Sequence, residues 1–197
     1  MTAPETTEIR GPRSDAVRNR ALLIAAARTS FANCGSNATL EVIAKSAGVG
    51  IGTLYRHFPT RDALVEAVYR SEVEALCTAA QELLVTLPAD EALAEWMQRF
   101  VSYVATKRGM ADALRSMVAS RVGLFDDCRL ALVTAVETLL AAGARSGLVR
   151  SDIEASDLLR AIGGICLGSD EGALGGSSRR LVALLVDGLR YGVTEPS

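Results

Sequence analysis

The sequence has a single histidine, His57, and no two of its four cysteines lie close together. Cys34, Cys77, Cys128 and Cys166 are too scattered for a zinc knuckle or a dithiol motif, so they read as reduced, small core residues. Aromatic residues make up 5% of the chain and prolines number five, while alanine and leucine abound. This balance favours helices over sheets. No apolar run reaches the roughly 18 to 20 residues that a bilayer span requires; even "LVALLVDGLRYGV" is broken by Asp187 and Arg190. The opening "MTAPETTEIRGPRSD" lacks the apolar segment of a signal peptide. These absences lead to the expectation of a soluble cytoplasmic protein of all-α class, not an enzyme, with no metal or cofactor and no membrane partner. A helical enzyme is the rival from another class, but one histidine, no phosphate-cradling loop and no clustered carboxylates leave it little chemistry.

What is present is ample apolar material, 49% of 197 residues, enough for a packed core. The formal net charge of -2 conceals an uneven distribution. Residues 9–61 carry eight basic and two acidic groups, whereas Asp62 onward holds 13 basic and 19 acidic ones. A basic amino-terminal module on an acidic body suits a module that meets a polyanion. A solvated basic face fits the same charges.

Helical spacing recurs along the whole chain. In "SDAVRNRALLIAAARTSFANCG", Val17, Ala21, Leu22, Ile24, Ala25, Thr29 and Phe31 form the expected inner face, with Ser14 or Asp15 as cap and Gly35 as terminator. "TLEVIAKSAGVG" begins at a capping Thr39 and turns inward Leu40, Ile43, Ala44 and Ala47. After a turn at Gly48 and Val49, "GIGTLYRHF" restarts a short helix that Pro59 stops, and Thr60 caps a long successor running to about Val85. Further helices are expected over "DEALAEWMQRFVSYVATKRG", "MADALRSMVASR", "LFDDCRLALVTAVETLLAAGARSG", "DIEASDLLRAIGGICLG" and "SSRRLVALLVDGLRYGV", about nine in all.

Two short helices joined at glycine suit a helix-turn-helix, whose second helix enters the major groove. Gly50 and Gly52 fall where a missing side chain lets backbone amides approach phosphates or bases. Thr53, Tyr55, Arg56 and His57 are then candidate DNA contacts, with Leu54 in the core. Helical pairs that bind nothing share this pattern, and Tyr55 also suits packing on the long helix, as His57 suits a structural hydrogen bond.

The run "RALLIAAARTSFANCGSNATLEVIAKSAGVGIGTLYRHFPTRDAL" closely resembles the DNA-binding domain of the TetR/AcrR family of bacterial transcriptional regulators. The alanine-rich first helix with its phenylalanine, the threonine-led helix, the "AGV" turn and the "GTLYRHF" helix followed by a basic residue are all present. Gly50 departs from the pattern, since family members often have serine there. The resemblance implies that Thr39 holds a phosphate at its helix start, that Thr53 and Tyr55 lie against groove and backbone, and that His57 and Arg61 pair with phosphates. Base reading falls to residues 49–53, sparse at Gly50 and Gly52. Arg10 and Arg13 suit a minor-groove arm or a leader with no specific role.

The resemblance divides the chain into a helix-turn-helix domain over residues 14–62 and a ligand-binding and dimerisation body over 63–197. Homodimerisation is expected through the last two helices, where Leu158, Leu159, Ile162, Ile165 and Leu167 join Leu181, Val182, Leu184, Leu185, Leu189 and Tyr191, residues that also suit an ordinary buried pair within one monomer. For the effector, Trp96, Met97, Phe100, Tyr103, Met110, Leu114, Met117, Phe125 and Cys128 gather large, adaptable apolar groups, with Tyr103, Arg121 and Asp126 or Asp127 as polar anchors. The same residues also suit plain core packing. The resulting expectation is a repressor on a palindromic double-stranded DNA operator, released by a small apolar or amphipathic effector. A module that has lost operator recognition is the third reading, and Gly50 is its only hint.

Overall fold

The computed structural model describes residues 12–118, 122–168 and 176–191. Among these the regular structure is entirely helical: α1 (Pro12–Cys34), α2 (Leu40–Ser46), α3 (Ile51–His57), α4 (Arg61–Thr86), α5 (Ala89–Gly109), α6 (Ala111–Met117), α7 (Val122–Arg145), α8 (Ala155–Leu167) and α9 (Ser177–Arg190), with one 3-10 turn at Gly35–Asn37. The nine expected helices are all there. No helix among the described residues is long and apolar enough to cross a membrane.

Local chemistry sets most boundaries. The side chains of Thr39 and Thr60 accept hydrogen bonds from the amides of Val42 and Ala63, at 3.3 and 3.1 Å, closing the first turns of α2 and α4. Gly35 and Gly48 take φ of 57° and 70°, left-handed values that a side chain strains to adopt, and there α1 ends and the α2–α3 turn reverses. Helix α1 is already helical at Pro12, ahead of the Ser14 or Asp15 expected to cap it.

The inner face of α1 also differs from the one expected. Leu23, Ala27 and Phe31, spaced four apart, are buried, while Val17, Leu22, Ala21 and Ala25 face outward. Only Phe31 of the expected set is fully enclosed, with Ile24 half-buried. The cause lies in composition: α1 is apolar over much of its circumference, so periodicity alone does not choose a side.

Helix α5 is the spine of the molecule, packing against α1, α4, α7, α8 and α9. Its Leu93, Trp96, Met97 and Phe100 meet the α4 stripe of Leu64, Val65, Val68, Val73, Leu76 and Leu83 in one continuous core. The Trp96 indole donates to the Leu76 carbonyl at 2.8 Å, so the one polar atom of that ring is satisfied inside the core. Cys128 and Cys166 are buried as expected, Cys77 is half-buried, and Cys34 is exposed at the end of α1, against the expectation of a core residue.

Candidate functional site

Helices α2 and α3 form a compact pair on α1. Ile43, Ala44, Ala47 and Leu54 turn inward, and the small Ala44 sits where the helices cross. Leu54 is completely enclosed. On the opposite side of α3, Gly50, Ile51, Gly52, Tyr55 and Arg56 are exposed and Thr53 and His57 are half-buried. Tyr55, for which packing on the long helix is the other reading, keeps 46% of its surface open. A Cβ at Gly50 or Gly52 would meet nothing within 4 Å, so neither glycine is required by packing inside the protein. Gly50 is extended at φ -70° and ψ 150° and caps α3 without a side-chain hydrogen bond. The exposed face of α3 is therefore lined by backbone, the aliphatic side chain of Ile51, one phenol and one guanidinium.

Arg61 stands apart from this face. Its guanidinium donates to the carbonyls of Ala38 at 2.6 Å and Ser36 at 3.2 Å, and lies 5.4 Å from the Phe31 ring centre. Two of its donors thus brace the backbone just ahead of α2, beside the phosphate role expected for it. Arg10, Arg121 and the side chain of Arg13 lie outside the described residues.

The second feature is a cavity of about 700 Å³ in the body, walled by α4, α5, α6, α7 and α8. Phe100, Tyr103, Leu114 and Phe125 of the expected set line it, joined by Tyr69 of α4, Leu132, Leu159 and Gly163. Phe125 stands 5.6 Å from the Tyr69 ring, and Phe100 5.3 Å from that of Tyr103. Burial raises the pKa of both tyrosines, whose hydroxyls share a hydrogen bond. Lys107 points its ammonium at the two rings, 5.6 and 5.8 Å from their centres. Desolvation there lowers its pKa.

Two comparisons bear on this arrangement. Residues 23–68 match the profile described as bacterial regulatory proteins of the tetR family, and residues 88–191 that of the SbtR-like transcriptional regulator C-terminal domain. A crystal structure of a TetR transcriptional regulator from Streptomyces coelicolor is 47% identical, with a TM-score of 0.80 over 87% of this chain and 98% of that one. The chain belongs to the TetR family of transcriptional regulators. A TetR regulatory protein from Mycobacterium vanbaalenii is 34% identical, with a TM-score of 0.71 over 91% of this chain and 99% of that one. As a TetR-family regulator the protein binds DNA, and α2–α3 is its helix-turn-helix.

Five residues grouped for the effector in the sequence of this TetR-family protein do not line the cavity. Trp96 and Met97 are fully enclosed between α5 and its neighbours, and Met110, Met117 and Cys128 are core residues outside the cavity lining. A single helix period does not distinguish the side of α5 that meets α4 from the side that meets the void. Of the two candidate acids, Asp126 lines the cavity and Asp127 does not. The residues missed were the cations: Lys107, Arg108, Arg115, Arg129 and Arg160 all line it. Their signal was present in α5, where Phe100, Tyr103, Val104, Lys107 and Arg108 follow one another at helical spacing.

Proposed function

We propose that the protein is a cytoplasmic, homodimeric repressor released from its operator by a small molecule held in the body cavity. The observation that carries this reading is continuity between cavity and DNA-reading unit. Helix α4 spans 26 residues, about 39 Å at the usual helical rise; its first residue, Arg61, braces the segment before α2, and its Tyr69 lines the cavity. A ligand that favours one position of α4 shifts the population of module positions, and hence the fit to two half-sites roughly 34 to 36 Å apart.

In this reading residues 14–62 carry DNA binding and 63–197 carry effector binding and dimerisation. Thr39, Thr53, Tyr55, Arg56 and His57 position the module on phosphates, and the backbone at Gly50 and Gly52 approaches the groove. Dimerisation uses the outer stripe of α9, Leu181, Leu184, Leu185, Gly188 and Tyr191, beside Gly164 and Ile165 of α8. The first three leucines and Tyr191 are apolar groups at helical spacing with Leu184 and Tyr191 largely open in the single chain, which supports their coverage by a second copy.

The test is fluorescence anisotropy with DNA from around the protein's own gene, across a salt series. Sequence-dependent binding is expected, with a log–log salt slope of about -0.9 per neutralised phosphate. A Tyr55→Ala, His57→Ala double variant is expected to lose affinity while keeping its melting temperature. Binding insensitive to both salt and sequence sinks the reading.

A further inference from the structure

The body of this protein is acidic, yet the wall of its cavity is not. Five cationic side chains line the cavity and a single carboxylate, Asp126, accompanies them. Outside the first 61 residues acids outnumber bases by 19 to 13, so the wall reverses the sign of the body around it. Some of this charge is already engaged. Arg115 pairs with Asp112, Arg160 with Asp157 at 3.3 Å, and Arg108 donates to the carbonyl of Cys166 at 3.1 Å.

Lys107 is different. Its ammonium lies over the faces of Tyr69 and Tyr103, where partial desolvation lowers its pKa although the residue as a whole is still open to solvent, and no carboxylate contributes to that shift. Ring faces replace only part of the hydration that an ammonium loses. Phe100, Leu114, Phe125 and Leu132 give the same wall a broad apolar part. A neutral apolar guest filling the cavity would strip further water from this cation and offer no charge in return.

We propose that the effector is an amphipathic organic anion, whose apolar body lies among the aromatic side chains and whose single carboxylate or phosphate group sits against Lys107. This rests on the reading of the cavity as the effector site and adds the ligand's chemical class. Arg129, which also lines the cavity, adds to its positive potential. A cavity of about 700 Å³ is within the range of sites that enclose small organic molecules.

The experiment is isothermal titration calorimetry of the full-length protein with two skeletons in charged and neutral forms. The probes are decanoate, decyl phosphate and decanamide, and 2-naphthylacetate with 2-naphthylacetamide. At least one anion is expected to bind ten times more tightly than the amide of its skeleton, and comparison of decanoate with decyl phosphate decides between carboxylate and phosphate. Lys107→Met is expected to abolish that preference by weakening the anion relative to its amide. Arg99→Met removes a cation from the same helix away from this cavity and is expected to leave the preference intact. Equal binding of anions and amides, or an anion preference that survives Lys107→Met or vanishes in Arg99→Met, overturns the anionic assignment and leaves the cavity as an effector site. Failure of every probe to bind overturns both.

Discussion

The last residue of α5, Gly109, lies against the end of α1 so closely that a Cβ built on it would stand 1.9 Å from the carbonyl oxygen of Phe31. Backbone meets backbone there, so no side-chain rotation relieves an added methyl group. Lys107 and Arg108, in the cavity wall, immediately precede this contact. The cavity and the DNA-reading unit therefore touch through α5 as well as through α4.

Gly109→Ala is expected to push α1 from α5 and lower stability by about 1–3 kcal/mol, the usual cost of overpacking that shifts backbone. Urea denaturation measures it. Gly123→Ala in α7 is the control, since a Cβ there meets nothing within 4 Å; it is expected to be neutral or to stabilise by up to about 1 kcal/mol through helix propensity. Equal stability of the two variants contradicts the close contact.

Arg61 offers a sharper choice between two roles. As a clasp on the Ala38 and Ser36 carbonyls it holds the approach to α2, so Arg61→Met is expected to cost about 1–3 kcal/mol of stability. DNA affinity falls with it, because Thr39 follows directly, but the salt slope stays unchanged. A direct phosphate contact gives the opposite signature: unchanged stability and a slope smaller by about 0.9.

These residues also mark what the sequence made legible. Thr39, Thr60, Gly35 and Gly48 were readable because capping and left-handed turns depend on the residue itself and its nearest neighbours. Leu54 in the core and Tyr55 outside followed from the tight helical pair. The inner face of α1 was not readable, because Val17 and Leu22 are as apolar as Leu23 and Phe31, and only the positions of α4 and α5 decide between them. The cavity was half legible: Phe100, Tyr103, Leu114 and Phe125 face it, while Trp96 and Met97 face α4 and its neighbours. Lys107 was missed for a physical reason. A lysine on a helix is ordinarily solvated, and it takes Tyr69, nearly 40 residues earlier in the chain, to turn its surroundings into a wall.

Leu184 tests the assembly. It is 67% exposed in the single chain and lies at the centre of the outer α9 stripe. Leu184→Glu places a charge in the proposed dimer interface without disturbing Val182 or Val186, which are buried within the chain. Sedimentation velocity is expected to show monomers of unchanged helicity, with operator affinity weakened on the order of a hundredfold as two linked half-sites become independent. A variant that stays dimeric removes α9 from the interface.

Glu72 predicts a pH effect. Its carboxylate faces Arg28 of α1 at 3.6 Å and bonds with Thr106 of α5, but burial dominates and raises its pKa above the ordinary 4.5. The folded state thus holds a proton that the unfolded state has released between 4.5 and the raised value, so this group makes stability fall as pH rises through that window. Glu72→Gln is expected to remove that slope and to be at least as stable as wild type at pH 7, measured by urea denaturation at several pH values. A marked loss at pH 7 instead gives the Arg28 ion pair the larger weight.

Gly50 closes the question that its glycine raises about DNA recognition. It is extended, exposed and free of any neighbour within 4 Å of a prospective Cβ, so serine fits without strain. As a cap of α3, serine in place of glycine gains only a few tenths of a kcal/mol, so the melting temperature is expected to move little. On DNA the same hydroxyl, at the start of the helix proposed to meet the groove, is expected to add one hydrogen bond to phosphate, about 1 kcal/mol or roughly fivefold in affinity. Gly50→Ser is therefore expected to bind the operator more tightly at every salt concentration with an unchanged slope, because a hydroxyl releases no counterion. If affinity does not rise, the start of α3 lies away from the phosphates, and the half-buried Thr53 and the exposed Tyr55 carry the positioning of the helix.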